Sequence, residues 1–402
     1  MYIYKCRLCD SKLISKVIDL GFHPLADTFL TEDMLKKGAE NWHPLSLGLC
    51  DSCGHVFTLY SISPEDRYQK NEYSYDSSNS QVSINHFEEF AKTVLKEIPL
   101  PLDSLIIDIG SNVGTLLSQF KKLGYSNILG IEPSKNIANI AIELGIPTIN
   151  DFFNIRSAKE SNKIGLVDVL LSSNVVNHID NIVELLNVAK CLLKENGVFV
   201  FEVPYLLDLI QSHAFDTIYH EHVHYYGVKP LSKLLNIQGF SIFKIERLDY
   251  MCGSIRVYAR TGGVNSNSIS NFIDKEVNFG LYNKSTFEIF MKRIRKLKLT
   301  VNSHLSEICL FGGKVVAIGA ATKGNTFLNY CRLDSDVISY ITDTSSLKIG
   351  KITPGSHIVI KSDNDIGDDI THALILPWNI SSYLQSKLSH LKLKFYVPQI
   401  EV

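Results

Sequence analysis

The sequence predicts an α/β protein in which two parallel, doubly wound units follow a small cysteine-rich one. Three observations carry that expectation. Short apolar runs alternate with helical patterns from Leu105 to Val203, and the alternation returns from Val315 to Leu376, as parallel sheets require. Cys6, Cys9, Cys50 and Cys53 form two CxxC pairs ahead of both stretches. At 402 residues the chain is also too long for one core.

Composition narrows the class. Apolar residues make up 45% and charged residues 20%, the balance of a globular protein. A formal net charge of −2 argues against nucleic-acid partners and a membrane-surface role. No apolar run approaches the roughly 18 residues of a spanning helix, and MYIYKCRLCD has no signal-peptide core. Eight cysteines are too sparse for a disulfide scaffold, so a reduced, cytoplasmic setting is expected.

The first unit is expected over residues 1–70. Its CRLC and CDSC knuckles offer four thiolates from two tight turns, a donor set suited to tetrahedral structural zinc with no open position. Chance pairs or redox dithiols are the alternative. His55 follows the second knuckle and is expected to cap its turn. Cys191, Cys252, Cys309 and Cys331 lack such spacing and read as small buried residues. From Glu72 to Ser80 the chain looks like a linker, although Tyr73 and Tyr75 are unusual in a passive one.

The middle unit, residues 71–305, begins with a helical pattern through His86, Phe87, Phe90 and Val94. Strands are expected at Leu105–Ile109, Ile128–Ile131, Pro147–Ile149, Val167–Ser172 and Gly197–Val203, with helices Thr115–Leu123 and Ile182–Leu193 among the connections. Ligands bind such sheets at the carboxyl ends of the strands. The first turn, DIGSNVG, holds Asp108, Gly110, Asn112 and Gly114 but lacks the middle glycine of a dinucleotide loop. An acid opening the loop is wrong for a phosphate and right for an ammonium group, so S-adenosylmethionine (SAM) is favoured over NAD. Glu132 ends the second strand, where an acid would hold ribose hydroxyls in either case, and Asn174 follows the fourth. Asp108 could instead cap the next helix. Phe240–Leu248 and Ser254–Ala259 are expected as a closing antiparallel hairpin.

Between the fifth strand and that hairpin lies YHEHVHYY, Tyr219 to Tyr226, with three imidazoles, a carboxylate and three phenols in eight positions. If extended, it would place His220, His222 and His224 on one side and Tyr219 and Glu221 on the other. Acid–base chemistry, a zinc site on HxHxH, and a polar turn are all open at this point. A long helix over Thr286–Leu310 leads to the third unit, residues 306–402, with strands at Val315–Ile318, Val337–Thr342 and Ala373–Leu376. Its loop GAATKGNT offers backbone amides and Lys323, Gly324 and Asn325 at a helix start, a recipe for phosphate. A surface lysine in a small-residue turn is the alternative.

These stretches resemble the SAM-dependent sugar C-methyltransferases. The similarity runs through nearly the whole chain: the paired knuckles, Tyr75-Asp76-Ser77-Ser78, DIGSNVGTLL, GIEPSKNIA, Ser173-Asn174 to His178, EVPYL, FDTIYHEH, GSIRVY, ATKGNTFLN and Thr353-Pro354-Gly355. The resemblance implies a zinc-binding N-terminal domain, a central Rossmann-like class I SAM methyltransferase domain and a C-terminal Rossmann-like domain that helps hold the substrate. That substrate would be a nucleotide-linked 4-keto-6-deoxy sugar, methylated at carbon 3; the sequence leaves the oligomeric state open, a monomer included. It implies that His222 is the base, that Glu221 and Tyr219 orient it or bind the developing oxyanion, and that His178 and Tyr75 position the sugar. Asn177 and Tyr205 would line the sugar pocket. Where the family has His-Gly-Gly-Ser, this chain has Met251-Cys252-Gly253-Ser254, which puts the sugar's identity in question. The rivals are an O- or N-methyltransferase acting on a nucleotide sugar, a zinc hydrolase or lyase, and a non-catalytic nucleotide-sugar binder.

Overall fold

The computed structural model describes residues 1–38, 40–70 and 72–398. Residue 71, where the middle unit was expected to begin, and the last four residues of the third lie outside them. Numbered along the chain, the N-terminal strands are β1 (Ile14–His23), β2 (His43–Cys50) and β3 (Val56–Thr58). The middle part holds β4 (Ile106–Ile109), β5 (Ile128–Ile131), β6 (Thr148–Ile149), β7 (Val167–Ser173) and β8 (Leu193–Pro204). A two-residue strand, β9 (His224–Tyr225), precedes β10 (Phe240–Leu248) and β11 (Ser254–Thr261). The C-terminal part contributes β12 (Val315–Ile318), β13 (Ile338–Asp343), β14 (Ile360–Ser362), β15 (His372–Ile375) and β16 (Lys394–Tyr396).

These strands make three sheets. The largest has seven, in the order β10-β11-β8-β7-β4-β5-β6. β8, β7, β4, β5 and β6 run parallel, while β11 enters antiparallel between β8 and β10. Chain order reverses between β4 and β7, so their carboxyl ends part and leave a crevice. Ile106, Ile107 and Ile109 are buried, as are Val169, Leu170 and Leu171, because both faces of this sheet are covered. On one face, helix Gln81–Glu97 turns Phe87, Phe90, Ala91 and Val94 inward at helical spacing. Burying each phenylalanine contributes about 1.5–3 kcal/mol.

The C-terminal sheet, β14-β13-β12-β15-β16, is parallel throughout. Helix Lys284–Leu310 links it to the middle sheet and packs on β1, burying Phe287, Phe290, Ile294, Val301 and Leu305 along one stripe. The N-terminal sheet is an antiparallel hairpin of β1 and β2, extended by β3 and then by β9. That last pairing joins Val56 to Tyr225 and Phe57 to His224, so the histidine-rich stretch ends inside the cysteine-rich unit's sheet. No helix among the described residues is long and apolar enough to cross a membrane.

Candidate active site

A cavity of about 1440 Å³ opens where the three sheets meet. Its walls include the β4 turn, the histidine-rich stretch and the carboxyl ends of β12, β13 and β15. Small-molecule sites usually enclose about 300–1,000 Å³, so there is room for two ligands end to end.

The half of the cavity where the cofactor was expected is built by the turn after β4. Gly110 has φ +64°, and a Cβ there would lie 2.5 Å from Val175 Cγ2, so a side chain would be both strained and blocked. Asp108 is buried at the mouth of this turn, and its Oδ1 has no partner. Burial, with Glu132 and Glu202 nearby, pushes its carboxyl up to about 8. Asn174, just past β7, also leaves its Oδ1 without a partner. Two unpaired oxygens at the carboxyl ends of adjacent strands fit an ammonium group. Glu132 accepts backbone N–H groups from Asn112 at 3.1 Å and Ser134 at 2.8 Å, which fixes its carboxylate over the crevice. Asn112 also receives the Ser77 amide and donates to the Tyr75 carbonyl, both at 2.9 Å. The segment expected as a linker is thus tied across the cofactor turn, with Tyr75 on the cavity wall. Gly114 does not line the cavity; its φ of +79° starts the following helix against Ile146.

The histidine-rich stretch is not extended at its start. The His222 amide donates to the Tyr219 carbonyl at 3.0 Å, closing a turn. The expected alternation is therefore broken: Tyr219, Glu221 and His222 all reach the cavity, whereas His220 and His224 point away from it. His220 packs against His43 and the Pro44 carbonyl, and His224 Nδ1 meets His55 Nε2 at 2.9 Å. The three imidazoles are dispersed, and the one metal-competent cluster among the described residues is the cysteine set.

His222 Nδ1 lies 2.8 Å from the Thr217 carbonyl, which can only accept, so the proton sits on Nδ1 and Nε2 carries the lone pair. Tyr219 Oη donates to that Nε2 at 2.7 Å. Burial pushes His222 down to about 4, so it is neutral at working pH. His178 packs edge-on to His222 with ring centroids 4.7 Å apart, and its Nδ1 is 2.7 Å from Tyr68 Oη. Glu221 is buried; Oε1 accepts the Asp27 amide at 3.2 Å, and Oε2 has no partner. Burial, then the neighbouring Asp27, pushes its carboxyl up to about 7.

On the third wall, Lys323 lines the cavity but is already engaged. Its Nζ lies 2.5 Å from Asn379 Oδ1, 3.4 Å from Cys252 Sγ and 3.7 Å from Asp216 Oδ2, and 4.5 Å above the Trp378 ring. The Ala320 amide of the expected phosphate loop donates to Asp343 at 2.8 Å, so an internal carboxylate takes a place offered to phosphate. Gly324 packs on Leu376, and Asn325 donates to the Ala26 carbonyl at 2.7 Å; neither lines the cavity. Nor do Asn177 and Tyr205. The Asn177 carbonyl accepts the Val223 amide and Tyr205 bridges to Tyr226, so both hold the histidine-rich stretch from behind. Missed from the sequence were Asp27, Tyr68 and Tyr250, all on the cavity wall and none in a recognisable motif.

Away from the cavity, the sulfurs of Cys6, Cys9, Cys50 and Cys53 lie within 4.8 Å of one another. The close pairs run between knuckles, Cys6–Cys53 and Cys9–Cys50, both at 3.6 Å. Tetrahedral zinc with bonds of about 2.3 Å places its sulfurs about 3.8 Å apart, so the four thiolates fit that ion as a cross-link. The His55 side chain turns away from the knuckle towards His224 instead of capping the turn. Arg7, inside the first knuckle, pairs with Asp180 at 3.0 Å; Arg67 pairs with the same carboxylate and donates to the His178 carbonyl at 2.9 Å.

Three family models match consecutive parts of the chain. They are a zinc binding domain over residues 6–68, a methyltransferase domain over 83–245, and the C-methyltransferase C-terminal domain over 249–396. The C-methyltransferase NovU of Streptomyces niveus is 29% identical over 382 residues, 94% of this chain and 90% of that relative. A mitochondrial ubiquinone biosynthesis O-methyltransferase of Dictyostelium discoideum is 27% identical over 119 residues, 25% of this chain and 35% of its own length. Among solved structures, a SAM-dependent methyltransferase from Clostridium acetobutylicum covers 45% of this chain and 92% of its own, with TM-score 0.37 and 16% identity. With a seven-stranded sheet of class I methyltransferase order, a cofactor turn that fits SAM and a four-cysteine cluster that fits zinc, the chain belongs to the SAM-dependent C-methyltransferases that join a zinc-binding, a methyltransferase and a C-methyltransferase C-terminal domain.

Proposed function

We propose that this enzyme methylates carbon 3 of a nucleotide-linked 4-keto-6-deoxy sugar. The observation that carries the proposal is the placement of an acid–base cluster and the cofactor turn on one cavity wall system large enough for a second ligand. A ketone acidifies the adjacent carbon, and a positioned base can remove its proton. SAM supplies the electrophilic methyl group that the resulting enolate attacks. His222 Nε2 takes the proton once Tyr219 Oη turns from it towards the keto oxygen. The imidazolium then formed beside an enolate is stabilised by that charge, which compensates for the low basicity imposed by burial. His178 and Tyr75 position the sugar, and the strand ends near Lys323 and Trp378 face its nucleotide. The three sheets support three domains, 1–70, 71–305 and 306–402, with β9 reaching from the second into the first.

Glu221 supports a second reading. Its Oε2 is buried, unpartnered and on the cavity wall, and a carboxyl near 7 is well matched to proton transfer at neutral pH. The test is incubation with nucleotide-linked 4-keto-6-deoxy sugars in deuterated buffer, read by mass spectrometry. Deuterium uptake without SAM, and methylated product with it, are expected. His222→Asn is expected to lower both by about 10²–10⁴-fold while SAM affinity holds. Normal uptake in that variant, lost instead in Glu221→Gln, would assign the base to Glu221. The pH profile separates them too, since an acid limb near 4 belongs to His222 and one near 7 to Glu221. Methyl transfer without any exchange would favour an O- or N-acceptor and overturn the proposal.

A further inference from the structure

Asp27 lies in the segment that follows β1, 5% exposed, on the cavity wall. It is the meeting point of four parts of the chain. Its amide donates to Glu221 Oε1 at 3.2 Å. Its Oδ1 accepts the hydroxyls of Ser74 at 2.9 Å and Thr322 at 2.6 Å, and its Oδ2 accepts the Ser74 amide at 3.3 Å. Thr322 begins the ten-residue helix Thr322–Cys331, whose N-cap, Ala321, has no side chain to offer, and a carboxylate there is favoured by the helix dipole. One turn on, Asn325 donates to the Ala26 carbonyl, so the same helix holds this segment twice.

We propose that Asp27 is a positioning residue for Glu221, fixing one of its oxygens through the backbone while Ser74 and Thr322 keep the Asp27 carboxylate facing it. The inference rests on Glu221 belonging to the acid–base cluster and is independent of which molecule fills the cavity. Other groups facing Glu221 are Tyr219 and Tyr225 from its own stretch, and Arg67 and Tyr68 from helix Pro64–Tyr68. The phenols are neutral at working pH, because burial raises each of them. Asp27 and Arg67 are therefore the charges that act on Glu221, in opposite directions, with burial on the side of Asp27. Removing the Asp27 charge leaves Arg67 and the Asp27 amide to stabilise the ionised form.

Asp27→Asn removes that charge while keeping an oxygen for the two hydroxyls and the Asp27 amide in place, at the cost of the long Ser74 amide contact to Oδ2. The measurement is a pH titration of the full-length protein labelled with [δ-13C]glutamate, with Glu221 assigned by the signal lost in Glu221→Gln. A midpoint near 7 is expected in the parent, falling by about one unit in Asp27→Asn, a tenfold change in proton affinity. Ser74→Ala, which loosens the carboxylate without removing its charge, is expected to give a smaller fall. An unchanged midpoint in folded Asp27→Asn overturns the proposal. Should that variant not fold, an unchanged midpoint in Ser74→Ala does so. No sugar or SAM enters the titration, so a failed sugar panel and a failed titration point to different errors.

Discussion

Above pH 8 the Asp108 carboxyl is ionised, and below it mostly protonated, because burial with Glu132 and Glu202 nearby raises it to about 8. An ammonium group beside Oδ1 favours the ionised form. Cofactor binding must therefore release a proton at lower pH, and SAM affinity is expected to climb between pH 6 and 8 by up to about tenfold per unit. Calorimetric titration across that range checks it, with Asp108→Asn flattening the curve and weakening binding. Asp108 and Glu132 were legible in the sequence because one lies one residue before the end of β4 and the other just past β5, strands that short apolar runs make visible. Asp27 was not. Its partners lie 47, 194 and 295 residues away, so no local pattern marks it. Lys323 was legible as a cation at a helix start, but its engagement by Asp216 and Asn379 depends on loops from two different sheets.

Elements follow the same division. Runs such as IIDI in β4, broken only by Asp108, and VVAI in β12 could be read directly, since strands covered on both faces are nearly continuous apolar runs. β9 has only two residues, and it is a strand solely because β3 lies beside it. Period-two alternation failed at Tyr219–His222 for a related reason: a turn there, not an extended chain, decides which rings share the cavity. The short helix Val176–His178 is held in a comparable way from outside, by Arg67 through the His178 carbonyl and Asp180. Arg67 is 6% exposed, and Arg67→Met leaves Asp180 with Arg7 as its remaining cation and the His178 carbonyl without this donor. A loss of about 2 kcal/mol in denaturant unfolding is expected, accompanied by weaker turnover as His178 loosens, with SAM affinity little changed.

At the scale of the molecule, the cysteine cluster and the cavity's acid–base cluster are joined by two short paths. One is the β3–β9 pairing with His55 and His224 in contact; the other is Arg7 and Arg67 on Asp180. Distance between the metal site and the cavity therefore does not make them independent. Dialysis against a zinc chelator is expected to lower the melting temperature and abolish turnover together, while SAM binding to the β4 turn survives. Retained turnover in metal-free protein, verified by elemental analysis, would show that these paths carry no such dependence. The pairing of β9 with β3 also bears on dissection of the chain. A fragment cut away after Tyr68 could still assemble its seven-stranded sheet and load the methyl donor, yet its histidine turn would have lost the border strand against which it is laid. On the proposed role of His222, such a piece would be a receptacle for the donor and nothing more, since the turn that carries this imidazole is partly sewn into its neighbour's cloth.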